Sequence, residues 1–148
     1  MGHQFFILAV CFSLLGCSLE STRDRELQKF ADAFSKANQA RNIQPMLELY
    51  ELEGATEQTV DMLKYALLYE LNMPIKSIEF EALKGSPEEK IRYEYKGIQY
   101  GPTLAPKMRM RVRYETEDQF ESLFTIGQNH TNQWRIISSR PLENDSGE

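Results

Sequence analysis

The chain reads as an α+β domain, with three N-terminal helices packed on an antiparallel sheet of four to five strands. Three observations predict it. The hydrophobic period is close to 3.6 residues from Arg25 to Asn72 and becomes two from Ile75 onward, with Pro74 at the junction. Helices first and strands after is the order of a layered α+β architecture, not of alternating βα units. In the strand half, apolar residues alternate with ionised ones, so one face of the sheet should meet a core and the other water.

Leu27, Phe30, Ala31 and Phe34 recur at i, i+3, i+4 and i+7 and predict a first amphipathic helix over roughly residues 24–41. Asn42 can cap a short second helix, with Pro45 in its first turn, where a missing N–H costs nothing. Ile43, Met46, Leu47 and Tyr50 are its apolar stripe, and Gly54 stops it. Thr56 is the expected N-cap of a third helix, with Glu57 favourably placed against the helix dipole. That helix carries two stripes, Val60, Leu63, Leu67 and Leu71 beside Met62, Tyr65, Ala66 and Tyr69. An apolar arc so wide predicts cover on two sides.

Strands follow. Ile78 and Phe80 alternate with Glu79 and Glu81; Ile91, Tyr93 and Tyr95 with Arg92, Glu94 and Lys96; Met108, Met110, Val112 and Tyr114 with Arg109, Arg111, Arg113 and Glu115. Two more strands, near residues 120–128 and 133–139, flank a turn at residues 129–132. The row Arg109, Arg111, Arg113 is the sharpest basic feature. An intramolecular ladder with Glu79, Glu81 or Glu94 is its plain explanation; nucleic acid or anionic lipid are the functional readings, and a dimer interface on the charged sheet face is a third. Gly97, Gly101-Pro102 and Pro106 mark a long connection between strands.

Ahead of this domain, Phe5 to Gly16 holds no charged side chain, and the first one beyond is Glu20. About twelve apolar residues are too few for a membrane span, which needs roughly 20, and fit the apolar region of a signal peptide. The n-region, Met1 to Gln4, has no Lys or Arg, so its positive charge rests on the α-amino group and His3. Leu14-Leu15-Gly16-Cys17 resembles the lipobox of bacterial lipoproteins. That resemblance implies cleavage between Gly16 and Cys17 and attachment of fatty acyl chains, palmitate among them, to Cys17. Other readings are an unlipidated secreted protein and a buried core helix; myristoylation at Gly2 fails because Phe6 stands where Ser or Thr is needed. Multiple acyl chains form a stable tether, whereas one is marginal. The sequence therefore divides into a signal peptide (1–16), a lipidated start and polar spacer (17–24), the α+β domain (25–142) and an acidic tail (143–148). Ser18, not being Asp, favours the outer membrane of the bacterial envelope by the sorting rule of lipoproteins.

Composition narrows the function. The net charge of −5 argues against general nucleic-acid binding. With Cys11 removed and Cys17 acylated, no disulfide remains; a Cys11–Cys17 bridge would staple only the signal. His130 alone survives processing among the histidines and falls on a turn, so neither a metal site nor a cofactor is expected. Asn129-His130-Thr131 and Asn144-Asp145-Ser146 match glycosylation sequons, chance occurrences in a bacterial chain.

Three further segments carry a resemblance: F-A-D-A-F at Phe30 to Phe34, L-E-L-Y at Leu47 to Tyr50, and N-Q-W-R-I-I at Asn132 to Ile137. They resemble the nuclear transport factor 2-like superfamily, whose cystatin-like α+β fold is a cone: a curved sheet wraps a long helix and leaves a pocket. Members place a β-hairpin between the second and third helices, and residues 51–57 are too few for one. The resemblance implies either a binding pocket or an enzyme of the ketosteroid isomerase or SnoaL type, and some members pair through the sheet face. Proton abstraction in such a cone wants a desolvated carboxylate, yet Glu79, Glu81, Glu94 and Glu115 share the outward parity. No catalytic residue is assigned. Tyr50, Tyr69, Tyr93, Tyr95 and Tyr114 are the candidate pocket residues, able to offer hydroxyls to a ligand from apolar rings. The sequence thus leads to a membrane-anchored binding domain for a small molecule or a protein. An isomerase- or dehydratase-like enzyme working through tyrosine hydroxyls is the first alternative, and a homodimeric interaction module is the second.

Overall fold

The computed structural model describes residues 14–143, with side chains from residue 21. The apolar run through residue 13 and the tail from 144 lie outside the described residues, as do the side chains at Gly16 and Cys17. The fold is α+β, with four helices and eight strands among the described residues.

Helix α1 (Leu14–Asn38) includes the stretch expected to be a spacer and runs unbroken into the domain. Residues 21–26 are exposed, and burial begins at Leu27. Leu27, Phe30, Phe34 and Ala37 then form the buried stripe. The next helix is one turn, α2 (Gln44–Leu47); its N-cap is Ile43, and Asn42 Oδ1 instead accepts the Gln44 N–H at 3.0 Å. Strand β1 (Tyr50–Glu51) follows, then α3 (Glu57–Glu70). The Thr56 hydroxyl caps α3 by accepting the Thr59 N–H at 3.1 Å.

Five strands make the main sheet in the order β1-β7-β6-β5-β2. Its members are β2 (Ile75–Ala82), β5 (Met108–Tyr114), β6 (Glu121–Gln128) and β7 (Trp134–Ile137) together with β1. The β2–β5–β6–β7 run is antiparallel, but β1 joins β7 in parallel, so the sheet is mixed. Register places Ile78 opposite Val112, Phe80 opposite Met110, and Met110 opposite Phe124. On that face Met110, Val112, Tyr114, Ile126 and Ile136 are at most 2 % exposed, and Phe34 of α1, at 1 %, packs on the Phe124 ring with centroids 5.4 Å apart. The opposite face is ionised. Arg111 Nε pairs with Glu81 at 2.6 Å, a second Arg111 nitrogen and Arg113 both reach Glu121, and Arg113 also pairs with Glu79. Arg109 donates to the Thr125 hydroxyl at 3.2 Å.

The chain departs from expectation in the middle. A one-turn helix, α4 (Pro87–Lys90), closes on a capping box between Ser86 and Glu89, and the buried Glu89 carboxylate accepts N–H groups of Lys84, Gly85 and Ser86. Those donors hold its pKa below the ordinary carboxylate range. The strand expected at residues 91–95 leaves the main sheet. Strands β3 (Tyr93–Tyr95) and β4 (Ile98–Pro102) form a hairpin that pairs with β8 (Ser139–Pro141) as a separate three-stranded sheet. Lys96 and Gly97 have φ of 50° and 76°, the pair of positive values that a two-residue type I′ turn requires.

The second stripe of α3 is not covered. Met62, Tyr65, Leu68 and Tyr69 are 57 to 78 % exposed, because the helix turns only its Leu63–Leu67 side to the core. The segment after β4 crosses the outer face tightly. A Cβ on Gly127 would lie 2.5 Å from the Ala105 carbonyl oxygen, a backbone atom that cannot swing aside. Gly127→Ala should therefore destabilise the domain by about 1–3 kcal/mol through overpacking, and Phe34→Ala by about 3–5 kcal/mol through the cavity it leaves. Denaturant unfolding midpoints of the two variants measure both, and a neutral Gly127→Ala would mean that this crossing is loose.

Candidate functional site

The five tyrosines separate into three environments. Tyr93 and Tyr95 lie on the small sheet, both close to half exposed; the Tyr93 ring stacks on Tyr100 at 5.0 Å and its hydroxyl meets Ser139 Oγ at 2.7 Å. Tyr69 stands on the uncovered side of α3, edge-on to Phe120 at 5.7 Å. Only Tyr50 and Tyr114 come together, deep in the core.

What joins them is a carboxylate from a helix. Glu70, the last residue of α3, accepts the Tyr114 hydroxyl at 3.0 Å on one oxygen and the Ser122 hydroxyl at 2.7 Å on the other. Burial pushes the Tyr114 phenol above the ordinary tyrosine value, and the Glu70 charge adds to the shift. Tyr50 is raised likewise, first by burial and then by Glu70 and Tyr114. Sequence reasoning searched the strands for an inward acid and so passed over this one. Its signal was helical: Leu63, Leu67 and Glu70 share one side of α3, so the inward stripe ends in a charge. With both oxygens engaged by donors, the group ties α3 to β5 and β6.

An open cleft of about 960 Å³ lies at the other end of the sheet. One wall is the middle turns of α1, with Arg23, Glu26, Lys29 and Phe30. The other is built from the start of β5, the end of β6 and the β6–β7 turn, with Lys107, Met108, Gln128 and the run from Thr131 to Arg135. The turn is rigid in design. Asn129 Oδ1 accepts the N–H groups of Thr131 and Gln133 and the Thr131 hydroxyl, and Asn132 takes the left-handed φ of 59°.

Trp134 forms part of this cleft and is 6 % exposed. Its Nε1–H has almost no accessible surface and no acceptor among the described residues, and Asn38 Oδ1 in the core likewise has no donor. An indole N–H can only donate, and leaving a buried donor unmet costs about 1–3 kcal/mol. Lys29 is bound to Glu26 at 2.9 Å. Lys107 and Arg135 meet only uncharged oxygens: Lys107 donates to Gln128 Oε1 at 2.6 Å, and Arg135 to Gln133 Oε1 at 2.9 Å and to the Trp134 carbonyl at 3.3 Å. Sequence reading took Trp134 as part of a strand motif, and the cations around it are scattered from residue 23 to 135. Nothing in local spacing could have assembled them.

No protein-family model, curated protein or solved structure matches the chain.

A phenol raised on folding stabilises the native state below its unfolded pKa, near 10, and that contribution is lost as pH rises toward the folded value. Stability should accordingly fall between about pH 9.5 and 11.5, with Tyr50 and Tyr114 resisting ionisation until the chain unfolds. Urea midpoints and phenolate absorbance across that range test this; Tyr114→Phe should flatten the slope, and an unchanged slope would exclude Tyr114 as its source.

Proposed function

We propose that this chain is a lipid-anchored protein of the bacterial envelope whose domain binds a ligand in the α1–β7 cleft without transforming it. The observation that carries the binding reading is the open cleft of about 960 Å³, in which Lys107 and Arg135 meet only uncharged oxygens. The well-braced turn beside it holds the wall in place. The anchor reading rests on the uncharged run from Phe5 to Gly16 and on Cys17 at its end. On this reading Cys17 carries the acyl chains, Gly16 precedes the cut, and the domain stands at the membrane surface.

The cone-like, nuclear transport factor 2-like relationship belongs to the same proposal. It is supported by a long helix lying on the apolar sheet face, a short helix after it, and the W-R-I-I strand next to the short parallel strand. The enzymatic alternative would fall to Glu70 and Tyr114, but the Glu70 carboxylate is already engaged by two hydroxyls. That engagement favours a structural tie over proton transfer.

Metabolic labelling with a fatty-acid analogue tests the anchor. Wild-type chain should take up label and sediment with membranes, whereas Cys17→Ser should do neither while keeping the wild-type circular dichroism. Label retained by Cys17→Ser would sink the lipoprotein assignment. For the cleft, native mass spectrometry of membrane-extracted protein should find a bound species that Thr131→Trp, whose indole would fill the cleft, retains at least about tenfold less well.

A further inference from the structure

The cleft has a charge that the chain as a whole does not. The protein carries a net −5, yet the cleft is bounded by Arg23, Lys29, Lys107 and Arg135 against the single carboxylate of Glu26. Glu26 is committed to Lys29, and Arg23 lies 3.7 Å from Asp24. Lys107 and Arg135 keep their charge uncompensated by any carboxylate among the described residues, held instead by the side-chain amides of Gln128 and Gln133. Uncharged amides fix the direction of a cation without neutralising it. A concave site with cations on an acidic protein focuses a positive potential where an anion would enter.

The donor set has a definite chemistry. A planar guanidinium and an ammonium are donors and neither is an acceptor, which suits a head with several anionic oxygens, and phosphate is a group that Arg and Lys both recognise. Beside these donors, Phe30 and Met108 supply apolar surface. The neighbouring chain is pertinent as well. Cys17 and Arg23 lie on one uninterrupted helix, six residues or roughly 9 Å apart along its axis. An anchored Cys17 therefore keeps this end of the domain at the depth of lipid headgroups.

We propose that the α1–β7 cleft is a binding site for a phosphate-bearing amphiphile, with Lys107 and Arg135 holding the phosphate and Phe30 and Met108 meeting its apolar part. The proposal rests on the anchored-binder reading above and names the ligand class that this reading leaves open. The same chemistry is offered by a membrane phospholipid and by a soluble phosphate ester, and the two differ in whether the head alone suffices.

Trp134 is the only tryptophan in the chain, so its fluorescence reports from the site itself. The full chain in neutral maltoside micelles is titrated with short-chain phosphatidylglycerol, with glycerol phosphate, and with the corresponding diacylglycerol, following Trp134 emission and binding heat. Saturation by phosphatidylglycerol alone supports a lipid occupant. Saturation by glycerol phosphate as well supports recognition of the phosphate head and a soluble ester. Either response should weaken at least tenfold in Lys107→Gln/Arg135→Gln, whose thermal melt should stay close to wild type because Lys107 is exposed, Arg135 is half-buried and neither forms an ion pair among the described residues. Diacylglycerol binding as tightly as the phospholipid, with no change in the double variant, would overturn the phosphate assignment while leaving the cleft a ligand site. No saturation by either phosphate compound, in emission or in heat, would overturn this proposal as well. The anchor reading stands or falls separately, on labelling of Cys17.

Discussion

The structure depends on one burial event: the Leu27–Phe30–Phe34 stripe of α1 sealing the apolar face of the β5–β6–β7 sheet. Each partner is unstable alone. The strands alternate so strictly that a slip of one residue would send Arg109, Arg111 and Arg113 into the core, and the helix has only one face that avoids water. Placed together, they take Phe34, Met110, Val112, Ile126 and Ile136 almost wholly out of solvent, and this burial is the main favourable term for a domain of this size. The ion-pair ladder on the other face then pins the register, because Arg111 and Arg113 find Glu79, Glu81 and Glu121 only in that alignment.

The remaining elements manage what this packing leaves open. The short strand β1 pairs with β7 at one end of the sheet, and Glu70 reaches from α3 to hold β5 and β6 at the other. The hairpin of β3 and β4 is recruited by β8, so residues 139–141 are stitched to the middle of the sequence. Leu142 continues this with an N–H donated to the Gln99 carbonyl at 2.7 Å. The uncovered side of α3 shows the limit of such economy. Of its two stripes, only the one with Leu63 and Leu67 meets the core.

Polar groups of the interior differ in character. Around Glu70 every donor has its acceptor, and the group serves as a brace. At Trp134 Nε1 and at Asn38 Oδ1 a buried polar atom has no partner among the described residues.

Most of the layering was legible in the sequence. The change of period at Pro74, the Thr56 cap, the Arg–Glu alternation and the turn at residues 129–132 are all local signals, and local signals survive without tertiary information. The Lys96-Gly97 hairpin and the Ser86-to-Glu89 capping box were legible too, but only to a reader weighing turn chemistry above strand alternation. The pairing of β1 with β7, the exposure of Met62 and Tyr65, the inward Glu70 and the gathering of Lys29, Lys107, Trp134 and Arg135 were not legible. The sequence by itself determined which faces are apolar, since a side chain's polarity and its period along the backbone are properties of the chain alone. Only the tertiary structure decided which apolar face is covered and which distant charges share a cleft, because both follow from how much area each surface can bury against the other.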